Sequence, residues 1–581
     1  MYPTKNTLAA SLRLADHPYL AWGAVCLITG VGTWWRLAGI GESLWLDELH
    51  TAWVVADGGG QLVSRAAVGN QSPVYFALVW SVARLAGASE FWLRLPSVLA
   101  GVALVAGVYW AIVRWTGSFS AGLLASLLVA VDRHCVFYGQ EARPYALVQL
   151  VGLLHVVLFA GLLRWTTNGT DGRNGANGTD GRKEARLFPK SRASQGGRLA
   201  LRLAWIATGA LLFYLHYTAV LLVAAEVVAY GLSRFRLADA SGFETAAAGR
   251  EVVDHSVCYR WRQLALDLTL LALCFLPAVP HLREIAQRRE NWFSFVPARW
   301  VWRIWEIGDL FPLHVYLLAP LAVLAASWAC ARIRRSRQPP AADSRGPDAR
   351  WFLLALCWLL VPLTLAWLAT ALGSTPLFFH RYVIVSAVAP IVWAALCCAA
   401  CPSGVWRGVC ALVVVSAAVH HGGIVRQWWQ DGRVVGDRNQ DWRSAVAYVN
   451  EHAGATAPLF VRSGLIEAEH WYASEDSVRR EFCLLPVLGL YRLDRPRELL
   501  FPLPKSPPAV LSSEAHRRVL ACREAWCLVL GGEPSLARFE ASLKSSWQRA
   551  GVPLSSVQRQ SFGDVAVFRI RVAGGHPSAD E

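Results

Sequence analysis

"SPVYFALVWSVARLAG", Ser72–Gly87, decides the fold. The run is apolar enough to enter a membrane, and if it crosses, every loop after it changes side. The basic loops determine the reading. Loop 165–198 carries Arg173, Arg182, Lys183, Arg186, Lys190 and Arg192, and Arg332–Arg350 carries six Arg. Both belong on the cytoplasmic side by the positive-inside rule. With the N-terminus inside, both land there only if Ser72–Gly87 does not cross. It is therefore expected to lie along the outer membrane surface as an interfacial helix (72–87) within an outer loop, 39–92.

The other long apolar runs each approach the roughly twenty residues that span ~30 Å of hydrocarbon. They fall at 19–37, 93–114, 118–137, 145–164, 200–215, 217–234, 263–281, 312–332, 351–372, 382–401 and 405–420, about eleven transmembrane helices. Composition agrees: of 581 residues 55% are hydrophobic and 17% charged, with mean hydropathy +0.34, too apolar for a soluble protein of this size. The net charge of +15 sits in loops between spans and forms no basic stripe, so it reads as topological and no nucleic-acid partner is expected. Lys5 and Arg13 precede the first run, which lacks a convincing small-residue cleavage site and reads as a retained first helix.

Ten of the 13 Cys lie in or near spans and read as packing residues. Cys398-Ala-Ala-Cys401 has a redox or zinc spacing, yet it ends an apolar run without partners. Cys483, Cys522 and Cys527 fall in a polar region that leaves room for one disulfide, with the pair open. Within the flexible loop 165–198, "NGTDGRNGANGTDGR" repeats almost in tandem and reads as a linker. Its sequons at Asn168 and Asn177 would not meet glycosylation machinery on the cytoplasmic side.

From "DWRSAVAYVNEHAG" onward the pattern becomes that of a folded polar domain. Helix-like stretches at Asp441–Ala453 and Ser535–Ala550 alternate with β-like runs in "APLFVRS", "AWCLVLG" and "DVAVFRIRV". The fold class is thus a multispanning α-helical membrane protein, module 1–422, with a small exoplasmic α/β domain and a flexible tail over 423–581.

On this topology the outer side gathers residues able to do chemistry. "SLWLDELH", Ser43–His50, supplies Asp47, Glu48 and His50; "FYGQEARPYAL", Phe137–Leu147, supplies Glu141 and Arg143. His216 comes from "YLHYT", and Arg381 with Tyr382 from "LFFHRYVIV", Leu377–Val385. A carboxylate ionised near neutral pH can accept a proton from an incoming hydroxyl, and a guanidinium can hold phosphate through two hydrogen bonds. Bland readings stand beside these: a helix-end ion pair for Glu141 and Arg143, snorkelling for Arg381, a hydrogen-bonded helix-end His216. The Trp-rich stretch Asn291–Phe311 is compatible with sugar docking and with a plain membrane interface.

Five pieces carry a resemblance: "ESLWLDE", "SPVYFALV", "SEFWLRLPSVLAG" (Ser89–Gly101), "YGQEARPYAL" and "FFHRYVIVSAVAP". Over roughly the first 400 residues, and in this order, they resemble the GT-C superfamily of membrane glycosyltransferases, in its protein O-mannosyltransferase and aminoarabinose transferase group. "DWRSAVAYV" is similar to the exoplasmic tail of bacterial members. The resemblance implies transfer of a sugar from a polyprenyl-phosphate donor to a lipid, glycan or protein acceptor, on the exoplasmic side of a cell (inner) membrane. It matches Asp47 to a carboxylate that acts at the acceptor and Glu141 to a second acid close by, with Glu48 a further candidate. "GNQSP" departs from the pattern, because many relatives have His or a Glu-Lys pair before the Pro; Asn70 and Gln71 can hydrogen-bond a sugar but carry no charge.

Two other classes compete. A lipid flippase or transporter would place acids deep in the spans, where Glu226 and Asp267 are the main ones, and would show matching halves; no internal repeat is visible. A non-catalytic scaffold displaying the C-terminal domain calls for no cluster of outer acids and bases. An oligosaccharyltransferase would want a divalent metal and a clearer acidic set; Asp47 with Glu141 leaves a divalent metal open.

Overall fold

Helix ends in this chain are written by caps and breakers. The structure, a computed structural model, describes residues 18–164, 195–248, 259–288, 312–335, 347–372, 377–432, 434, 439–504 and 511–573. The expectations for Asn168, Asn177 and the stretch Asn291–Phe311 lie outside them.

Helix α1 (Pro18–Leu37) is followed by a short outer group, α2 (Leu46–Val55), α3 (Leu62–Val68) and α4 (Pro73–Ala86). Ser72 caps α4 by accepting from the Val74 amide, Pro73 takes the first position, and Gly87 at φ +89° stops the helix. Its 14 residues rise only ~21 Å, short of the hydrocarbon core. It packs through Tyr75, whose hydroxyl is 3.3 Å from Ser97 Oγ on α5 (Glu90–Thr116), and shows Val74, Leu78 and Leu85 outward.

Then follow α6 (Phe119–Val131), α7 (Arg133–Gly139), α8 (Tyr145–Arg164), α9 (Gln195–Leu215) and α10 (Leu221–Ala248). Asp132 ends α6 and begins α7, its Oδ1 accepting from the Cys135 amide, and the chain bends there by 59°. Arg36 of α1 is buried at this break and donates to the carbonyls of Val129 and Cys135. Helices α11 (Trp261–Phe275) and α12 (Val279–Gln287) precede Ala319–Arg335, Ala349–Ala371, Ala389–Ala400 and Gly404–Gly422.

Among the described residues nine helices are long and apolar enough to cross a membrane; the bent α6–α7 pair adds a tenth, and α1, twenty residues and ~30 Å, is long enough for another.

The C-terminal region builds a five-stranded mixed sheet of β1 (Leu459–Arg462), β2 (Leu500–Pro502), β3 (Glu524–Leu530), β4 (Leu554–Phe562) and β5 (Val565–Val572), in the order β2-β1-β3-β5-β4. β2, β1 and β3 are parallel; β5 runs antiparallel to β3 and β4. Alternation sorts the two faces. Phe460, Cys527, Val529, Ala566 and Phe568 meet helix Glu533–Arg549, while Leu459, Val461, Trp526, Leu528, Val565 and Val567 join the core that continues into the bundle. Cys483, Cys522 and Cys527 are all free thiols.

Candidate active site

Helix α2 starts abruptly. Trp45 is extended and offers no capping acceptor, and Asp47 and Glu48 occupy the first turn, where the partial positive charge of a helix N-terminus favours acid. The two carboxylates point into different surroundings. Glu48 is completely buried: Oε1 accepts from Arg94 Nε and the Ala142 amide, both at 2.8 Å, and Oε2 accepts from Arg94 Nη2 at 2.5 Å. Arg94 spends its remaining donors on the carbonyls of Ile40, Glu42 and Ser43. Glu48 thus joins three segments: the approach to α2, helix α5 and the loop before α8.

Asp47 instead meets the guanidinium of Arg381 through Oδ2; its side chain is 23% exposed and that of Arg381 19%. Arg381 sits at the start of a 3-10 segment, His380–Ser386, that leads into Ala389–Ala400. That segment is held by Trp358, whose indole donates to Val385 O while its own carbonyl accepts from Ser386 Oγ.

Pro144 explains the third piece. It excludes the helical region for Arg143, so the chain turns through Glu141–Arg143, with the Arg143 amide donating to Glu141 O at 2.7 Å, before α8 begins. Arg143 is buried, and its Nη1 lies 3.3 Å from both Asp47 O and His50 Nδ1. Burial opposes its charge, but Tyr145, Asp47 and Glu141 outweigh that and hold its pKa above the ordinary value. Glu141 is 1% exposed and lies in the same field.

Hydrogen-bond bookkeeping fixes two histidines. His50 Nε2 is 3.3 Å from Arg65 O, which can only accept, so Nε2 carries the proton and Nδ1 is free to accept from Arg143. Burial, then Arg143, pushes the His50 pKa well down, so the ring is neutral. Thr218 Oγ1 donates its one proton to Tyr382 O at 2.6 Å, so His216 Nδ1, 2.8 Å away, must donate to Thr218. This leaves His216 Nε2 as an acceptor, and burial with Arg143 and Arg381 lowers its pKa too. The ring stands 5.9 Å from Tyr145 and 5.8 Å from Tyr382.

The structure therefore brings Asp47, Glu141, Arg143, His216, Arg381 and Tyr382 together at one end of the bundle, with Glu48 just beneath. Asn70 and Gln71 lie in the turn from α3 to α4; Asn70 takes the left-handed φ of 60°, and neighbouring Gly69 packs against His50. Arg94 and Thr218 enter the site's framework without having been singled out. A lone Arg inside the apolar run "FWLRLPSVLAG" was the available sign for Arg94; Thr218 gave none.

Among the described residues no three His, Cys, Asp or Glu side chains converge as a metal set would, and the Asp47 carboxylate already holds a guanidinium. Glu226 and Asp267 are fixed inside the bundle: Glu226 accepts from the Trp205 indole at 2.8 Å beside His155, and Asp267 takes Arg202 and the Tyr259 hydroxyl.

No family model and no curated protein matches the chain. Among solved structures it is similar to ArnT from Cupriavidus metallidurans bound to undecaprenyl phosphate, at 11% identity and TM-score 0.45, over 96% of this chain and 98% of that one. It is also similar to the apo oligosaccharyltransferase of Archaeoglobus fulgidus, at 10% identity and TM-score 0.47, over 97% of this chain and 76% of that one.

Proposed function

We propose that this protein is a GT-C-type membrane glycosyltransferase that moves a sugar from a polyprenyl-phosphate donor to a lipid, glycan or protein acceptor at the exoplasmic face of a cell membrane. The observation that carries the reading is the contact of Asp47 with Arg381, set between Glu141, Arg143, His216 and Tyr382 where four separate parts of the chain emerge. It pairs a proton acceptor with a phosphate-binding cation, the two groups this transfer needs.

The acceptor oxygen attacks C1 of the sugar and gives its proton to the Asp47 carboxylate. The bond from C1 to the phosphate oxygen breaks with its electron pair remaining on the phosphate. A polyprenyl phosphate leaves as an anion, so no general acid is needed at that end, and one carboxylate suffices where a glycosidase uses two. Arg381 stabilises the departing charge, with Arg143 behind it. Before the donor binds, Arg381 is held by Asp47; an arriving phosphate competes for that guanidinium and frees the base.

Glu48 has a different part. With four hydrogen-bond contacts and no exposure it is a positioning group that sets Asp47 against the Glu141–Arg143 turn. Glu141 orients Arg143 and the acceptor, His216 Nε2 and the Tyr382 ring line the donor's side, and Asn70 and Gln71 hydrogen-bond the far part of a sugar. The domain limits at 422 and 423 follow this division between catalytic bundle and exoplasmic domain.

The test supplies undecaprenyl phosphate carrying a tritiated hexose, pentose or amino sugar to membranes holding the wild-type chain and endogenous acceptors. Label should move from the polyprenyl fraction to an acceptor, and Asp47→Asn should abolish the movement. Absence of transfer from all three donor classes would reject the reading.

A further inference from the structure

The start of α2 is only partly capped from within, Glu48 Oε2 accepting from the Trp45 amide at 3.4 Å, and the rest comes from the far end of the chain. Trp45 offers no acceptor at the cap position. The Leu46 amide, at the first helical position, donates instead to Gln440 Oε1 at 3.0 Å. Two residues earlier the Leu44 amide donates to the Tyr491 hydroxyl at 2.8 Å, and that hydroxyl donates in turn to Glu90 Oε1 at 2.9 Å on α5. Arg443 closes the same seam, reaching Gly41 O at 2.5 Å and Glu90 at 2.8 Å.

These contacts are anchored. Gln440 pairs through its backbone with Gly563 in the β4–β5 turn, so its side chain is presented by the sheet. Tyr491 is buried. Further along α2, Gly489 lies so close that a Cβ there would stand 3.0 Å from the Trp53 amide, a contact tighter than most side chains make. The C-terminal domain therefore grips α2 both before and after Asp47.

We propose that Gln440 and Tyr491 are positioning residues for the transfer reaction: the exoplasmic domain caps the helix that carries Asp47 and fixes that carboxylate's height against Arg381. The inference rests on Asp47 being the base. It makes the C-terminal domain a working part of the active site.

Gln440→Leu keeps the side chain's bulk and removes the acceptor; Gln440→Glu keeps an acceptor at a helix N-terminus, where negative charge is favoured. Tyr491→Phe removes only the hydroxyl. The full-length variants are measured for transfer rate with the tritiated donors, donor KM, binding of undecaprenyl phosphate and thermal midpoint. Gln440→Leu and Tyr491→Phe should each lower kcat on the order of tenfold, since small displacements of a reacting group are costly. Donor KM, undecaprenyl phosphate binding and the midpoint should stay unchanged, and Gln440→Glu should recover most of the rate.

Wild-type kcat in both variants, while Asp47→Asn is inactive, would overturn the proposal and leave the base assignment standing. So would a loss of rate matched by a lower midpoint and not recovered by Gln440→Glu, which marks a purely structural seam. Full transfer by Asp47→Asn would remove the base assignment and this proposal with it.

Discussion

Two ion pairs stand side by side at the start of α2 and are built in opposite ways. Glu48–Arg94 is wholly buried, and its carboxylate and guanidinium are tied further into the backbone of both neighbouring loops. Asp47–Arg381 is partly open and joins two side chains that come from opposite ends of the membrane module. A pair buried in that way is costly to break, because each partner left alone is an uncompensated charge. An open pair at a shared site can exchange partners at little cost. Chemistry needs the second kind, and a rigid floor beneath it needs the first.

That contrast can be broken from either side. The largest effect short of Asp47→Asn should come from Arg381→Ala, which should lower transfer by about 10²–10³-fold and weaken undecaprenyl phosphate binding in the same membranes. Loss of transfer with unchanged binding would move the phosphate site elsewhere. Next, Glu48→Gln or Arg94→Met should destabilise the protein by about 3–5 kcal/mol. The double variant Glu48→Gln/Arg94→Met should cost clearly less than the sum of the two, read by chemical denaturation. Additive losses would deny the coupling.

The smallest effect is one of pH. Burial lowers the pKa of His50 in the folded chain, whereas the unfolded chain takes up that proton near its ordinary value of about 6.5. The folded state then binds fewer protons, so stability is fully present above about pH 6.5 and declines as pH falls below it. His50→Gln should flatten that decline between pH 7 and 5, measured by thermal midpoint. An equally steep decline in the variant would place its source in other groups.

The spans were legible because about twenty apolar residues in a row have few other uses, and the shortness of the helix within 72–87 is written by Ser72, Pro73 and Gly87 at its ends. The helices and strands of the C-terminal domain followed from their periods. The gathering of Asp47, Arg143, His216 and Arg381 was legible as a list of loop residues on one side. Which of two adjacent acids lies buried was not, because Glu48 is turned inward by a helix phase and by an Arg94 that lies 46 residues away. Nor was the capping of α2 by Gln440, which is 394 residues from Leu46 and has no local pattern.

The most direct measurement compares Asp47→Asn with Glu48→Gln on one preparation each, scoring undecaprenyl phosphate binding and single-turnover sugar transfer per folded molecule. The expectation is that Asp47→Asn binds and does not transfer, whereas Glu48→Gln transfers in proportion to the fraction that remains folded. Full-rate transfer by Asp47→Asn, or abolished transfer by fully folded Glu48→Gln, would contradict it.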